Sequence, residues 1–167
     1  MVAITSARRV SEIHFLGRHS PFTRFDRYTV SLNPLPGFLS KTANPAHLGA
    51  EIVLPCFCTH IAELCVHCTL KYYVDYTNNL SGVDPDSLFV SYGDGTLGKK
   101  VACRTISGWL VCLIELAYGL KAIQPPHVKA HSTRGTATSW GLLQKASLDQ
   151  IVQAADWKSG CTFIRHY

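Results

Sequence analysis

Strand-like alternation is confined to two short stretches of this sequence, and that confinement restricts the fold more than any other feature. Tyr28-Thr29-Val30-Ser31-Leu32 alternates apolar and polar positions, and Glu51-Ile52-Val53-Leu54 ends a second run before Pro55. Between them Pro34, Pro36, Gly37, Pro45 and Gly49 supply the punctuation of a turn-rich hairpin. The rest of the periodic chain reads as helix. The expected fold class is therefore α+β, mostly helical, with a small antiparallel β-sheet within residues 28–54.

The first helix is expected over residues 5–16, capped by Ser6 or Thr5, with Val2, Ala3, Val10, Ile13 and Leu16 as an inner stripe. Residues 59–76 present Ile61, Leu64, Cys65, Cys68, Tyr72 and Tyr76 along one side of a second helix. Residues 87–91 read as a short buried segment. The stretch 105–120 is strongly apolar and expected to be the central core helix, with Pro125-Pro126 enforcing a break beyond it. Further helices are expected over 131–144, from the capping box Ser147-x-x-Gln150 onward, and over 159–167. Gly93-x-Gly95-x-x-Gly98 lacks the βαβ context of a dinucleotide site.

A chain of 167 residues with 47% apolar content can build one sizeable core, so a single domain, 1–167, is expected. The formal charge of +5 permits nucleic acid as a partner without requiring it. No apolar run reaches the roughly 18 residues of a membrane helix. Arg8, Arg9 and Glu12 interrupt the first apolar stretch, so neither a signal peptide nor a membrane is expected, and the chain reads as intracellular. Cys56, Cys58, Cys65 and Cys68, with His60 and His67, raise the question of a zinc module. Cys65, Cys68 and Tyr72 fall at helical spacing and no glycine marks a tight turn, so core packing is expected and no metal.

The chemistry concentrates in the last third. His131 and Arg134 are three apart and share a helix face, so both can address one small anion. Arginine offers a planar fork suited to phosphate, and histidine can move a proton near neutral pH. Tyr167 adds a nucleophilic hydroxyl, which completes the parts needed to break a phosphodiester through a tyrosyl intermediate. Near the start Glu12 can brace Arg9, although such a pair is often just a solvated ion pair. Lys41 is the only lysine before Lys71, and on its own pattern it reads as a surface residue.

Taken together these segments resemble the tyrosine recombinases and phage-type integrases. Ser6-Ala7-Arg8-Arg9-Val10-Ser11-Glu12-Ile13 resembles their first arginine box, Ala130-His131-Ser132-Thr133-Arg134-Gly135 their His-x-x-Arg box, Asp156-Trp157 the His/Trp position, and Tyr167 the nucleophile. The wording Ala-His-Ser-Thr-Arg-Gly-x-Ala-Thr-Ser-Trp and Phe-Ile-Arg-x-Tyr is similar to recombinases of DIRS-like retrotransposons from animals.

The resemblance implies a tyrosine recombinase catalytic-domain fold. In it Arg9 and Arg134 clamp the scissile phosphate, Glu12 supports them, and Lys41 protonates the leaving 5′ oxygen. His131 assists proton transfer, Trp157 donates a hydrogen bond to the phosphate, and Tyr167 forms a 3′-phosphotyrosyl bond. Arg8 stands beside Arg9, which leaves open which of the two clamps. Trp157 and Tyr167 are one position further apart than in the commoner pattern. The implied partner is double-stranded DNA, on which a full-length protein would form a homo-oligomer. No cofactor and no obligatory metal are implied. A catalytic domain lacking the N-terminal DNA-clamping domain and the segment after the nucleophile is expected. Its expected place is the nucleus for a eukaryotic mobile element, otherwise the cytoplasm. The alternative is a catalytically inactive DNA-binding remnant of such an element.

Overall fold

The computed structural model describes residues 1–39, 51–121, 128–157, 159–161 and 164. Its elements are α1 (Val2–Ser6), α2 (Val10–His14), β1 (Thr23–Phe25), β2 (Thr29–Leu32), β3 (Ile52–Pro55), a 3-10 turn (Ala62–Leu64), α3 (Val66–Asn78), α4 (Cys103–Gly119), α5 (Ser132–Leu143) and α6 (Leu148–Ala154). The architecture is α+β and mostly helical, with one small antiparallel sheet, as the alternation pattern requires. None of the described helices is long and apolar enough to cross a membrane.

The sheet has the order β1-β2-β3, with Val30 opposite Leu54 and Leu32 opposite Ile52. These four side chains are buried on one face, whereas Val53 points outward, which is the period-two signature of a half-covered sheet. The face closes on Ile13, Leu16, Val66, Leu70, Leu88 and Ile106 to form the core. Strand β1 is an addition to the sequence reading. At three residues it is too short to show a period, and it exists because Phe25 and Thr23 pair with Val30 and Leu32.

The expected first helix is broken in two. Ala7 adopts a left-handed conformation (φ 53°), and Arg9 follows in extended geometry as the N-cap of α2. Ser6 holds the break from both sides: its Oγ donates to the Val2 carbonyl at 2.7 Å and accepts from the Arg8 N–H at 3.3 Å. The inner stripe survives, since Val2, Ala3, Val10, Ile13 and Leu16 are all buried. A left-handed residue with a Cβ costs about 1–2 kcal/mol. Ala7→Gly is accordingly expected to raise stability by about 0.5–1 kcal/mol in denaturant titration, whereas Ala7→Val should lower it. Equal midpoints for all three proteins would refute the strain.

Helix α3 begins at Val66 and turns a different side inward from the one expected. Val66, His67, Leu70, Val74 and Thr77 are buried, while Ile61, Leu64, Tyr76 and Tyr72 (71% exposed) face solvent. Two apolar stripes compete in this sequence, and the later helix start selects the branched one. The cysteines follow the same correction. Cys65 is buried, but Cys56 is only half-buried and Cys58 and Cys68 are exposed, so core packing does not account for the group.

Helix α4 is also not the central core element. Only Ile106 is buried, with Cys103 and Leu110 packed against the core, while Leu113, Leu116 and Leu120 are exposed and Trp109 partly so. The helix is apolar nearly all round, which reads as full burial, yet one side alone finds a partner among the described residues. An apolar groove of about 290 Å³ runs beside it, lined by Val2, Ile13, Leu70, Trp109 and Leu113.

Arg18, which drew no attention in the sequence, is 1% exposed. Its guanidinium donates to the carbonyls of Val74 and Leu88 at 3.3 Å each and to Asn78 Oδ1 at 3.0 Å, with a further bond to Thr77 Oγ1. The cation thus closes the carbonyl end of α3, where a positive charge is favoured. Gly17 beside it cannot be replaced cheaply, because a Cβ there would lie 2.4 Å from Phe22 Cβ.

Candidate active site

The break after α1 carries Arg8 and Arg9 toward the start of α5 and the end of α6. Helices α1 and α5 pack together, as do α5 and α6. The capping box read from the sequence starts α6: Gln150 N–H donates to Ser147 Oγ at 3.2 Å, and Ser147 N–H to Gln150 Oε1 at 2.8 Å. Its end presents the buried Ala155, whose carbonyl accepts from Arg134 Nη2. Asp156 follows in a left-handed conformation (φ 51°), which a short polar side chain tolerates. Trp157 then lies under the Arg134 guanidinium, 5.0 Å from ring centroid to Cζ.

Glu12 is the centre of this group. Its buried carboxylate lies 3.6 Å from Arg8 Nη1, 3.7 Å from Arg9 Nη1 and 4.0 Å from Arg134 Nη1. Arg9 and Arg134 approach the same oxygen, Oε1, from opposite ends of the chain. Arg8 meets a second carboxylate, Asp156, at 3.3 Å. Neither Glu12 oxygen has a hydrogen bond among the described residues, nor does Arg8 Nε, so these are ionic contacts at some distance. Among the described residues three guanidiniums meet two carboxylates, which leaves one positive charge in excess. Such a site is built to receive an anion.

The electrostatics of Glu12 follow from burial. Desolvation pushes its carboxyl above the ordinary value, and Arg8, Arg134 and Arg9 only partly offset that rise. The two neighbouring arginines differ in access. Arg8 is 5% exposed between its two carboxylates, an internal strut, whereas the Arg9 side chain is 31% exposed.

The structure thus brings together four sequence-expected residues: Arg9, Glu12, Arg134 and Trp157. His131 is the N-cap residue of α5, one turn ahead of Arg134, with its side chain exposed. Lys41 and Tyr167 lie outside the described residues. Of the expected last helix, Gly160, Cys161 and Ile164 are helical and the remainder also lies outside them. Arg8 as a strut to Asp156 and the Ala155 carbonyl as an anchor for Arg134 were not foreseen. The available signal for the first was a second arginine beside Arg9 and an acid beside Trp157.

No protein-family model matches the chain, and no curated protein matches it in sequence. Solved structures do match in shape. The crystal structure of XerA recombinase superposes with a TM-score of 0.64 at 20% identity, covering 98% of this chain and 48% of that one. XerH site-specific recombinase bound to its difH substrate, in a pre-cleavage complex, gives 0.64 at 14% identity, covering 99% and 41%. XerH in a post-cleavage complex on palindromic difH gives 0.63 at 15% identity, covering 97% and 38%. The chain spans less than half the length of each of these proteins, and over that span it has the tyrosine recombinase fold.

Proposed function

We propose that this chain carries the strand-transfer site of a tyrosine recombinase, acting on double-stranded DNA. The observation that carries the reading is the meeting of Arg9 and Arg134 on one buried carboxylate, within a recombinase fold and with excess positive charge. In this reading the two guanidiniums hold the non-bridging oxygens of the scissile phosphate. The Tyr167 hydroxyl attacks phosphorus, the bond from phosphorus to the 5′ oxygen breaks, and a 3′-phosphotyrosyl bond forms. His131 assists transfer of the tyrosine proton, Lys41 protonates the departing 5′ oxygen, and the Trp157 indole donates to the phosphate. One phosphodiester is exchanged for another, so the chemistry needs no nucleotide energy source. Its acceleration comes from positioned cations and proton transfer. Arg8 serves as the strut and Arg9 as the clamp, because Arg9 alone of the two has a half-open side chain. The wording of the boxes favours a recombinase of a DIRS-like mobile element, working in the nucleus as part of a larger homo-oligomer on DNA.

The test is covalent trapping. A pool of nicked duplexes of varied sequence is incubated with the protein, and DNA that stays attached through detergent is sequenced. Attachment that disappears in Tyr167→Phe supports the reading. DNA binding without attachment would identify a binding remnant of the same fold instead.

Glu12 is a positioning residue in this scheme, and it separates stability from activity. Because its folded-state pKa is raised, ionisation costs the folded state stability. That stability is fully present below the unfolded value of 4.5 and is lost as pH rises through the folded value. Glu12→Gln removes this dependence and, as a neutral isostere of the protonated form that folding favours, is expected to hold stability at neutral pH. Covalent-complex yield should nevertheless fall by about 10²-fold, because Arg9 and Arg134 lose their shared anchor. Unchanged yield would remove Glu12 from the site. A melting transition whose decline above pH 4.5 is lost in the variant alone would confirm the titration.

A further inference from the structure

Four cysteine sulfurs gather where β3 hands over to α3. Cys56 follows β3 directly, its N–H still bonded to the Tyr28 carbonyl at 2.7 Å. Cys58 sits in the next turn, which closes through His60 and Ile61 N–H donating to the Phe57 carbonyl at 2.9 Å. Cys65 is the N-cap of α3 and Cys68 lies in its first turn. Cys56 Sγ is 3.0 Å from Cys58 Sγ, 3.5 Å from Cys65 Sγ and 3.9 Å from Cys68 Sγ. The sulfurs of Cys56, Cys58 and Cys68 lie mutually within 4.8 Å. We propose that Cys56, Cys58, Cys65 and Cys68 form a structural tetrathiolate zinc site that ties β3 to α3.

The geometry separates this from the other uses of cysteine. A disulfide needs about 2.05 Å between sulfurs, and all four thiols are free. A tetrahedral zinc–thiolate site with metal–sulfur bonds of about 2.3 Å has sulfur–sulfur edges of about 3.8 Å; Cys56 Sγ lies near that edge from Cys65 and Cys68, at 3.5 and 3.9 Å, and inside it from Cys58, at 3.0 Å. Packing in the core requires burial, and only Cys65 has it. Burial does not fasten the segment either, since Phe57, Ile61 and Leu64 within it are exposed.

Two features of the backbone serve Cys65. Phe57 N–H donates to Cys65 Sγ at 3.2 Å, and Cys65 stands as the N-cap of the 13-residue α3, where negative charge is favoured. His67 is held from behind, its Nε2 3.0 Å from the Asp26 carbonyl, with Nδ1 3.8 Å from Cys68 Sγ. Four protein ligands leave no open position, which makes the site structural and sets it apart from the arginine cluster.

The experiment uses the 167-residue chain expressed in zinc-supplemented medium and purified with a phosphine reductant. Elemental mass spectrometry is expected to find about one zinc per chain, and cobalt exchange to give the intense visible bands of a tetrahedral thiolate centre. Cys58→Ser and Cys68→Ser, both at exposed positions, should each cut metal content at least about tenfold, while Cys112→Ser, exposed on α4, should retain it. Cobalt titration of the unaltered chain gives the same answer without relying on any variant's folding. Folded protein that takes up neither metal would overturn the proposal, as would stoichiometric iron, a Cys56–Cys58 disulfide persisting under reductant, or equal loss in Cys112→Ser.

Discussion

Arg134→Lys is expected to lower covalent-complex yield by about 10²–10³-fold, the cost of removing one donor aimed at developing charge. The substitution keeps the charge and removes the shape. Arg134 does several things at once: Nη2 binds the Ala155 carbonyl, Nη1 faces Glu12 Oε1 at 4.0 Å, and the guanidinium plane lies over Trp157. A lysine ammonium is a point charge on a flexible stem and cannot satisfy these directions together. DNA binding before cleavage should change much less, because most of the affinity rests on phosphate contacts spread over the duplex. The pair of measurements is salt-dependent binding to intact duplex and covalent yield on nicked duplex. Parallel loss in both would assign Arg134 to general binding and not to the reacting phosphate.

Arg18→Ala carries the largest expected effect on stability, a loss of about 3–4 kcal/mol. Truncation leaves the Leu88 carbonyl without its Arg18 donor and the Val74 carbonyl with Thr77 Oγ1 at 3.2 Å, both in the buried space that Arg18 fills, and removes the bond to the exposed Asn78. It also opens a cavity at the C-terminal end of α3. For a chain of this size the melting temperature should fall by roughly 10 °C. Arg18→Lys should recover only a minor part, since one ammonium cannot span carbonyls on α3 and at Leu88 together. A fall under about 1 kcal/mol for alanine would mean that these groups find other partners.

How much of this was legible in the sequence depends on whether local or distant contacts decide. The small antiparallel sheet followed from alternation, and the start of α6 from Ser147 and Gln150, because each signal is complete within a few residues. The break at Ala7 left no such trace. Alanine is the best helix former, and the chain bends there only because Ser6 and the packing on either side over-determine it. The side of α3 that faces inward was misread because both of its stripes are apolar, and Leu70 and Val74 win through contacts with the sheet and with Leu88. At the site, His131 and Arg134 were visible by spacing. That Asp156 pairs with Arg8 is a meeting of residues from opposite ends of the chain, which no local pattern records. The cysteines were seen and weighed against helical spacing, but they straddle the end of a strand and the start of a helix, so spacing was the wrong ruler.

The exposed flank of α4 has a calorimetric consequence. Heat-capacity change on unfolding measures apolar surface that passes from the interior to water, about 12–15 cal/mol/K per residue in ordinary domains. Leu113, Leu116 and Leu120 are largely wet in the folded state and so add little to that change. For its length the chain should show a low increment and hence a flatter curve of stability against temperature. At a given enthalpy of unfolding, a shift in the melting point then carries over to physiological temperature with less attenuation.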